Sequence, residues 1–348
     1  MRILLYSDLH ISRTSSILPL GDDSKYTYRQ KMILNTGEWL SQIMVNEKPD
    51  MIINLGDTFD QHTLTSYDID VASKFFDLFT SKMILNNLSI PHLVLVGNHE
   101  MINQNFNAIA LLNNIPNITV IDHPQTINND LAFLPYCDYK DILEFPEGKF
   151  LFSHQDIQGS IIRNNFALPE GIQPKDLKTK YNLVFNGHIH KYSILNNIVN
   201  IGSVTTHSFS DDEESIPKAY IFNTETLDLQ SFNNLQCPLF RKFNIQRNVA
   251  ELTQYIDNLD NNYKYLLHVI SPFEYKTQVK ELLENSDKIL NSRLNVKIYK
   301  EDKQEETTQE INLQTNIDIS QTFKDFLNIT ELKYPKEYYL KVLEGVNI

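Results

Sequence analysis

Five stretches far apart in the chain carry residues that could do chemistry together. They are Asp8-Leu9-His10, Gly56-Asp57-Thr58-Phe59-Asp60, Gly97-Asn98-His99-Glu100, His154, and Gly187-His188-Ile189-His190. Each directly follows a short apolar run: Ile3–Tyr6, Met51–Leu55, Leu93–Val96, Lys149–Phe152 and Leu183–Phe185. Such runs, ended by turn residues, read as buried strands. The polar groups therefore fall at the C-terminal ends of strands, where open α/β sheets place their ligand crevice.

Taken singly, each stretch has a plain structural reading. Asp8 and His10 could be a surface pair, Gly56-Asp57 a simple turn with Asp60 capping the next helix, and His154 a hydrogen-bonded buried imidazole. His188-Ile189-His190 stands out, because alternate residues of an extended segment face one way and suit chelation. Together the stretches are harder to dismiss, since five of the ten histidines directly follow such strands. His62, His92, His123, His207 and His268 lack that setting and receive no role, His207 being the least secure of these because it follows Gly202-Ser203.

The set contains Asp, His and Asn and no thiolate, which fits Mn, Fe or Zn in a catalytic centre better than a structural zinc. One carboxylate can bridge two cations about 3.5–4 Å apart, the spacing for in-line attack on phosphorus. Two divalent ions bring about +4 and two carboxylates about −2, leaving roughly +2 to attract an anionic phosphodiester. Imidazoles and an amide preserve that attraction, which a crowd of carboxylates would cancel.

The elements that must position these groups follow from periodicity. Helices are expected over Tyr28–Asn46, with Ile33, Leu40, Ile43 and Met44 at helical spacing, and over Ser66–Asn86, where Ile69, Ala72, Phe76, Phe79 and Met83 form a core-packing stripe. With strands at Ile3–Tyr6, Met51–Leu55 and His92–Val96, and a short helix at Asn103–Asn114, the order is β-α-β-α-β, hence parallel pairing with right-handed crossovers. Further strands are expected at Thr119–Ile121, Ala132–Tyr136, Phe150–Ser153, Leu183–Asn186, Ile198–Ile201, Ala219–Phe222 and Leu227–Phe232. The fold class is α/β, a layered two-sheet β-sandwich flanked by helices over residues 1–235. A small α+β cap is expected over 236–300, with helices at Glu251–Leu259 and Tyr275–Leu290 and strands at Lys264–Ile270 and Leu294–Tyr299. Residues 301–316 read as a polar linker. Residues 317–348 read as a helical segment, with Ile319, Phe323, Phe326 and Leu327 in one stripe and Tyr338, Tyr339, Val342 and Leu343 beyond Pro335; with no core of its own, it is expected to dock on another chain.

Composition narrows the classes. The 348 residues, 41% hydrophobic and 22% charged, suit a soluble protein of two or three domains. No apolar run reaches a membrane span, the start has no cleavable signal pattern, and Cys137 and Cys237 read as buried thiols, so a cytoplasmic location is expected. The formal charge of −13 opposes non-specific nucleic-acid binding. Any affinity for DNA must come from bound cations, a local basic face or a partner subunit.

The ordered set Asp-x-His, Gly-Asp-x-x-Asp, Gly-Asn-His-Glu, a lone His, then Gly-His-x-His resembles the calcineurin-like metallophosphoesterases. Within them the chain looks like the nuclease subunit of the SbcCD-type (Mre–Rad) DNA-repair complex, especially its phage recombination-endonuclease relatives. The motifs cover Met1 to about Phe232, and the cap, linker and tail also match the layout of that branch. The resemblance implies two divalent cations, manganese foremost with Mg, Fe or Zn as alternatives. Asp8, His10 and His190 would hold one, Asn98, His154 and His188 the other, and Asp57 would bridge them around an attacking hydroxide. It implies further that His99 contacts the phosphate and protonates the departing sugar oxygen, and that Asp60 orients an imidazole or a water. Glu100 replaces the commoner Asp. The cap would help position duplex ends, the tail would bind the coiled-coil root of an ABC-type ATPase, and the chain would form a homodimer within a heterotetramer. The expected function is thus a two-metal DNA exonuclease and endonuclease in recombination, repair or end processing. The alternative is a stand-alone metallophosphatase or cyclic-nucleotide phosphodiesterase, which would have no use for cap, linker and tail; a non-catalytic scaffold would have no reason to keep both ligand sets and His99.

Overall fold

The computed structural model describes residues 1–13, 25–103, 106–138, 140, 142, 144–162, 166–206, 216–298 and 307–312. The helical segment expected at 317–348 and His207 lie outside the described residues.

The first half alternates as its periodicity requires. Strand β1 (Arg2–Tyr6) leads through helix α1 (Tyr28–Glu47) to β2 (Met51–Asn54), and α2 (Ser66–Leu85) leads to β3 (His92–Leu95). Capping boxes start both helices: Thr27 with Gln30, and Thr65 with Asp68, each pair satisfying two otherwise unpaired backbone N–H groups. A hairpin of β4 (Met101–Asn103) and β5 (Phe106–Asn107) and a 3-10 helix (Ala108–Asn114) precede β6 (Ile118–Ile121). The second half runs β7 (Gln125–Ile127), β8 (Leu131–Leu134), β9 (Phe150–Ser153), α3 (Pro174–Lys180), β10 (Leu183–Asn186), β11 (Ser193–Leu195), β12 (Ile198–Asn200), β13 (Lys218–Asn223) and β14 (Leu229–Asn233).

Among the described residues these strands form two six-stranded sheets, ordered β14-β13-β1-β2-β3-β6 and β11-β12-β10-β9-β8-β7. Pairing of β1 with β2, β2 with β3, β8 with β9 and β9 with β10 is parallel, so the strands that precede the functional loops end on one side. Alternation along β1 shows the layering. Ile3 and Leu5 join Ile53, Leu95, Phe133, Phe152, Phe185 and Phe222 between the sheets. Leu4 and Tyr6 face α1 and α2 with Ile52, Val94, Phe75, Phe76 and Phe79. On the far side Ala132, Leu151 and Val184 pack on Leu177 of α3. A strand buried on both faces reads as a continuous apolar run, which is what the sequence has.

Differences from expectation have local causes. Ile69 is not core: it lies at the flank of the α2 stripe and is 43% exposed, while Val71 and Phe75 are fully buried. The helix expected at 103–114 is a hairpin followed by a 3-10 turn, whose three-residue period suits the buried pair Ile109 and Leu112. Cys237 is buried, but Cys137 is only half-buried.

The last described unit is β15 (Leu239–Asn244), α4 (Ala250–Asp257), β16 (Tyr265–Pro272), α5 (Lys276–Glu284), β17 (Ile289–Ile298) and β18 (Thr307–Asn312). Its sheet is parallel through β15, β16 and β17, with β18 added antiparallel at the edge. Leu252 and Ile256 of α4 and Val279 and Leu283 of α5 cover Leu267, Val269, Leu294 and Val296. The expected helix over Tyr275–Leu290 stops at Glu284, where Asn285 and Ser286 break it. Strand β18 takes 307–312 out of the expected linker over 301–316, because an edge strand is held by its backbone ladder and needs no apolar pattern; 301–306 and 313–316 lie outside the described residues. The unit packs on α1 through Met32, Cys237, Phe240 and Leu266.

His92 opens β3 in the helix-facing core, fully enclosed by Phe76, Phe79 and Tyr6, with its Nε2 sharing a 2.8 Å hydrogen bond with the Tyr6 hydroxyl. Burial pushes this imidazole down to about 3. In the unfolded chain it titrates near 6.5, so below that pH the unfolded state takes up a proton that the folded state refuses. Stability is unaffected above about 6.5 and falls as pH drops toward 3, by about 2 kcal/mol at pH 5 from this group. Urea unfolding in EDTA at pH 7.5 and pH 5 should show His92→Gln losing about 2 kcal/mol less than wild type over that interval. Equal losses in the two proteins would refute the assignment.

Candidate metal centre

The loops after β1, β2, β3, β9 and β10 meet where the two sheets end side by side, bringing Asp8, His10, Asp57, Asp60, Asn98, His99, His154, His188 and His190 together. Four of these, Asp8 (φ 55°), His10 (φ 48°), Asp57 (φ 51°) and His188 (φ 68°), hold the left-handed backbone conformation that side-chain-bearing residues rarely adopt. Each costs about 1–3 kcal/mol unless the surroundings impose it, and such residues concentrate at functional sites. Glycine makes the convergence possible: a Cβ on Gly97 would overlap the Asp57 carboxylate, and one on Gly56 would overlap the His154 ring.

Two groups of ligand atoms form. Asp8, His10 and His190 each offer one atom within 4.8 Å of the others, and so do Asp57, His154 and His188. His10 Nε2 lies 3.1 Å from His190 Nε2, which is 3.8 Å from Asp8 Oδ1. Asn98 joins the second group, its Oδ1 standing 3.1 Å from His154 Nε2 and 2.9 Å from His188 Nδ1. Asp57 lies between the groups, its Oδ2 at 3.7 Å from His10 Nε2 and 3.3 Å from His154 Nε2. His99 Nε2 is 4.0 Å from the same oxygen, and with 36% of its side chain exposed His99 opens to solvent. A third combination, His10 with Asp60 and His99, also has its atoms within 4.8 Å.

Hydrogen bonds orient the rings. His154 Nδ1 donates to the Leu55 carbonyl oxygen at 2.6 Å, leaving Nε2 aimed at Asp57 and Asn98. His188 Nε2 donates to Asp156 Oδ1 at 2.9 Å, leaving Nδ1 for Asn98. His99 Nδ1 donates to the Asp60 carbonyl oxygen at 2.6 Å, and the Asp60 carboxylate is 3.3 Å from His10 Nδ1. The Asp60 side chain thus faces an imidazole.

Charge at the site is strongly perturbed. Burial works to raise the Asp57 carboxyl, but His154, His10 and His99 outweigh it and hold it far below the ordinary carboxylate range. Burial likewise opposes a charge on His154, yet Asp57 beside it raises the ring to about 9. Burial raises Asp8, and it raises Asp60 against the pull of Arg29 and His99. The hydrogen bond from His188 lowers Asp156. Without a cation, then, a proton on His154 offsets the convergence of lone pairs from Asp57 and Asn98 on its Nε2. Among the described residues the buried Asp8 Oδ2 has no hydrogen-bond donor. Converging acceptors, an orphaned buried carboxylate oxygen and neutral nitrogen donors fit divalent cations.

Three supporting groups receive no role in the motif reading. Glu100, fully buried, accepts from Phe59 N at 2.8 Å and Gly97 N at 2.6 Å, tying the Asp57 loop to the Asn98 loop; burial, with Asp57 nearby, raises it to about 8. Asp156 was findable, standing two residues after His154. Arg29 was not, since an arginine in a helix reads as solvent-facing.

A family model described as calcineurin-like phosphoesterase matches residues 1–192. No curated protein matches the chain. Solved structures similar to it include TT1561 of Thermus thermophilus (TM-score 0.39), Yfce, a phosphoesterase from E. coli (0.32), and a dimetal phosphatase from Danio rerio (0.36). Each is 11% identical and covers 67% of this chain, which in turn spans 98%, 99% and 99% of theirs. The family match extends over more than half of the chain and includes all nine clustered residues: this protein belongs to the calcineurin-like phosphoesterases, hydrolases of phosphoesters that use divalent metal ions.

Proposed function

We propose that this phosphoesterase is a two-metal-dependent DNA nuclease, manganese-loaded and cytoplasmic, that works with a coiled-coil ABC-type ATPase in recombination, repair or end processing. The observation that carries the reading is Asp57, a buried carboxylate within 4 Å of imidazoles from both ligand groups. When bound, a pair of cations supplies Lewis acidity toward the phosphoryl group and an activated water. Asp8, His10 and His190 would hold one, Asn98, His154 and His188 the other, with Asp57 between them. Asp60, Asp156 and the Leu55 carbonyl fix the imidazoles through which this happens. His99, at the mouth, is placed to give a proton to the departing oxygen.

Support for a nucleic-acid substrate comes from the chain beyond the phosphoesterase region. Among the described residues the α+β unit from Leu239 to Asn312 adds nothing to the ligand set, and it packs on α1. With a formal charge of −13, the chain gains from a partner that brings positive surface, and the apolar stripes in 317–348 are the segment proposed to recruit it.

Substrate choice tests this. The Mn-loaded full chain should cleave end-labelled duplex DNA and bis(p-nitrophenyl) phosphate, leave p-nitrophenyl phosphate almost untouched, and cleave DNA faster with the ATPase present. Hydrolysis confined to the monoester would replace the nuclease with a stand-alone phosphatase.

A further inference from the structure

Arg29 is 2% exposed, in the first turn of α1, away from any position the motifs single out. Its placement runs against two ordinary preferences. A cation in the first turn opposes the helix dipole, and a guanidinium withdrawn from water costs several kcal/mol unless its donors are met. Local rules broken without local gain are expected where function requires it.

The donors are met by one loop above all. Nη2 donates to the carbonyl oxygens of Leu9 and His10, both at 2.8 Å, and to Thr205 Oγ1 at 3.3 Å; Nη1 donates to the Thr206 carbonyl oxygen at 2.8 Å. Thr205 Oγ1 itself donates to the Leu9 carbonyl at 3.2 Å, and Ser203 Oγ donates to the Asp8 carbonyl at 2.8 Å. All three carbonyls of Asp8-Leu9-His10 therefore receive donors from behind, and the two outer residues are the ones in the left-handed conformation. Arg29 takes the Leu9 and His10 carbonyls and the Ser203 hydroxyl takes that of Asp8, while the Asp8 and His10 side chains stand in the site. These four bonds of the guanidinium run to the Asp8 loop and to Thr205 and Thr206, and none of the four reaches the Asn98, His154 and His188 group.

We propose that Arg29 is a positioning residue for one cation only, the one held by Asp8, His10 and His190, acting through the backbone of the loop that carries two of its three ligands. A planar guanidinium suits the task, because Nη2 holds the two successive carbonyls of Leu9 and His10 while Nη1, fixed in the same plane, holds the Thr206 carbonyl, a span that a single ammonium nitrogen does not reproduce. The inference rests on the two-cation reading of the site, and its test separates the two.

The test is Mn(II) titration of the metal-stripped full chain, with free Mn read by electron paramagnetic resonance and folding checked by thermal unfolding in EDTA. Wild type should bind two Mn. Arg29→Met should keep one at wild-type affinity and bind the other about tenfold to a hundredfold more weakly, the usual effect of losing a group that orients a ligand. Arg29→Lys should fall between them. Should Arg29→Met not fold, Thr205→Val removes the hydroxyl shared by Arg29 and Leu9 and should weaken the same single Mn to a lesser degree. Wild type with two Mn, and variants that weaken both equally or neither, would overturn the role of Arg29 alone. Fewer than two Mn in wild type would overturn the paired-cation reading and this inference with it.

Discussion

Asp57→Asn should lower phosphodiester hydrolysis by on the order of a thousandfold or more and reduce bound Mn from two per chain to one or none. The substitution keeps size and shape, and Asn tolerates a left-handed backbone, so the φ of 51° is no obstacle. Asn can also keep the oxygen that accepts from His99 N at 3.1 Å. What it removes is the negative charge between His10, His154 and His99, the one position serving both ligand groups. The metal-free chain responds in the opposite sense. There Asp57 holds a proton on His154, so its neutralisation lowers the ring from about 9. Thermal unfolding of the variant in EDTA separates loss of metal from loss of structure. Metal analysis with a bis(p-nitrophenyl) phosphate assay checks both quantities, and a variant with two Mn and wild-type turnover would remove Asp57 from its central place.

That the nine clustered residues could be read from the chain has a physical cause. Parallel strands buried on both faces must be short apolar runs, and groups used at a crevice must follow them immediately, so Asp8, Asp57, Asn98, His154 and His188 are marked by position as much as by type. What escaped notice acts through the backbone or through edges. Arg29 donates to carbonyls, which every residue has, so no pattern of side chains reveals its partners. Glu100 reads as a variant of a motif, whereas its oxygens bind two N–H groups on loops forty residues apart in the chain, about the distance from Phe59 to Gly97. Strands β7, β11 and β18 sit at sheet edges, where one-sided pairing relaxes the demand for apolar residues. Ile69 shows the converse: helical spacing placed it on the stripe, but the first turn of α2 lies at the margin of what the helix covers.

His99→Ala should leave two Mn bound and lower DNA cleavage by about a hundredfold to ten-thousandfold. The ring is pinned by Nδ1–H to the Asp60 carbonyl, so its Nε2 faces the space beside Asp57 from the solvent side. Its backbone N–H, which holds Asp57 Oδ1, survives the substitution, and so does the geometry of the ligand groups. If the ring's work is to protonate a departing oxygen, the loss must depend on how badly that oxygen needs a proton. A sugar alkoxide is a poor leaving group and p-nitrophenolate a good one, so the same variant should lose far less on bis(p-nitrophenyl) phosphate than on DNA. A structural role would lower both rates alike, and a ligand role would appear first as missing Mn. With the ring 4.0 Å from Asp57 and grouped with His10 and Asp60, comparison of the two substrates at equal metal content separates proton donation from positioning and from coordination.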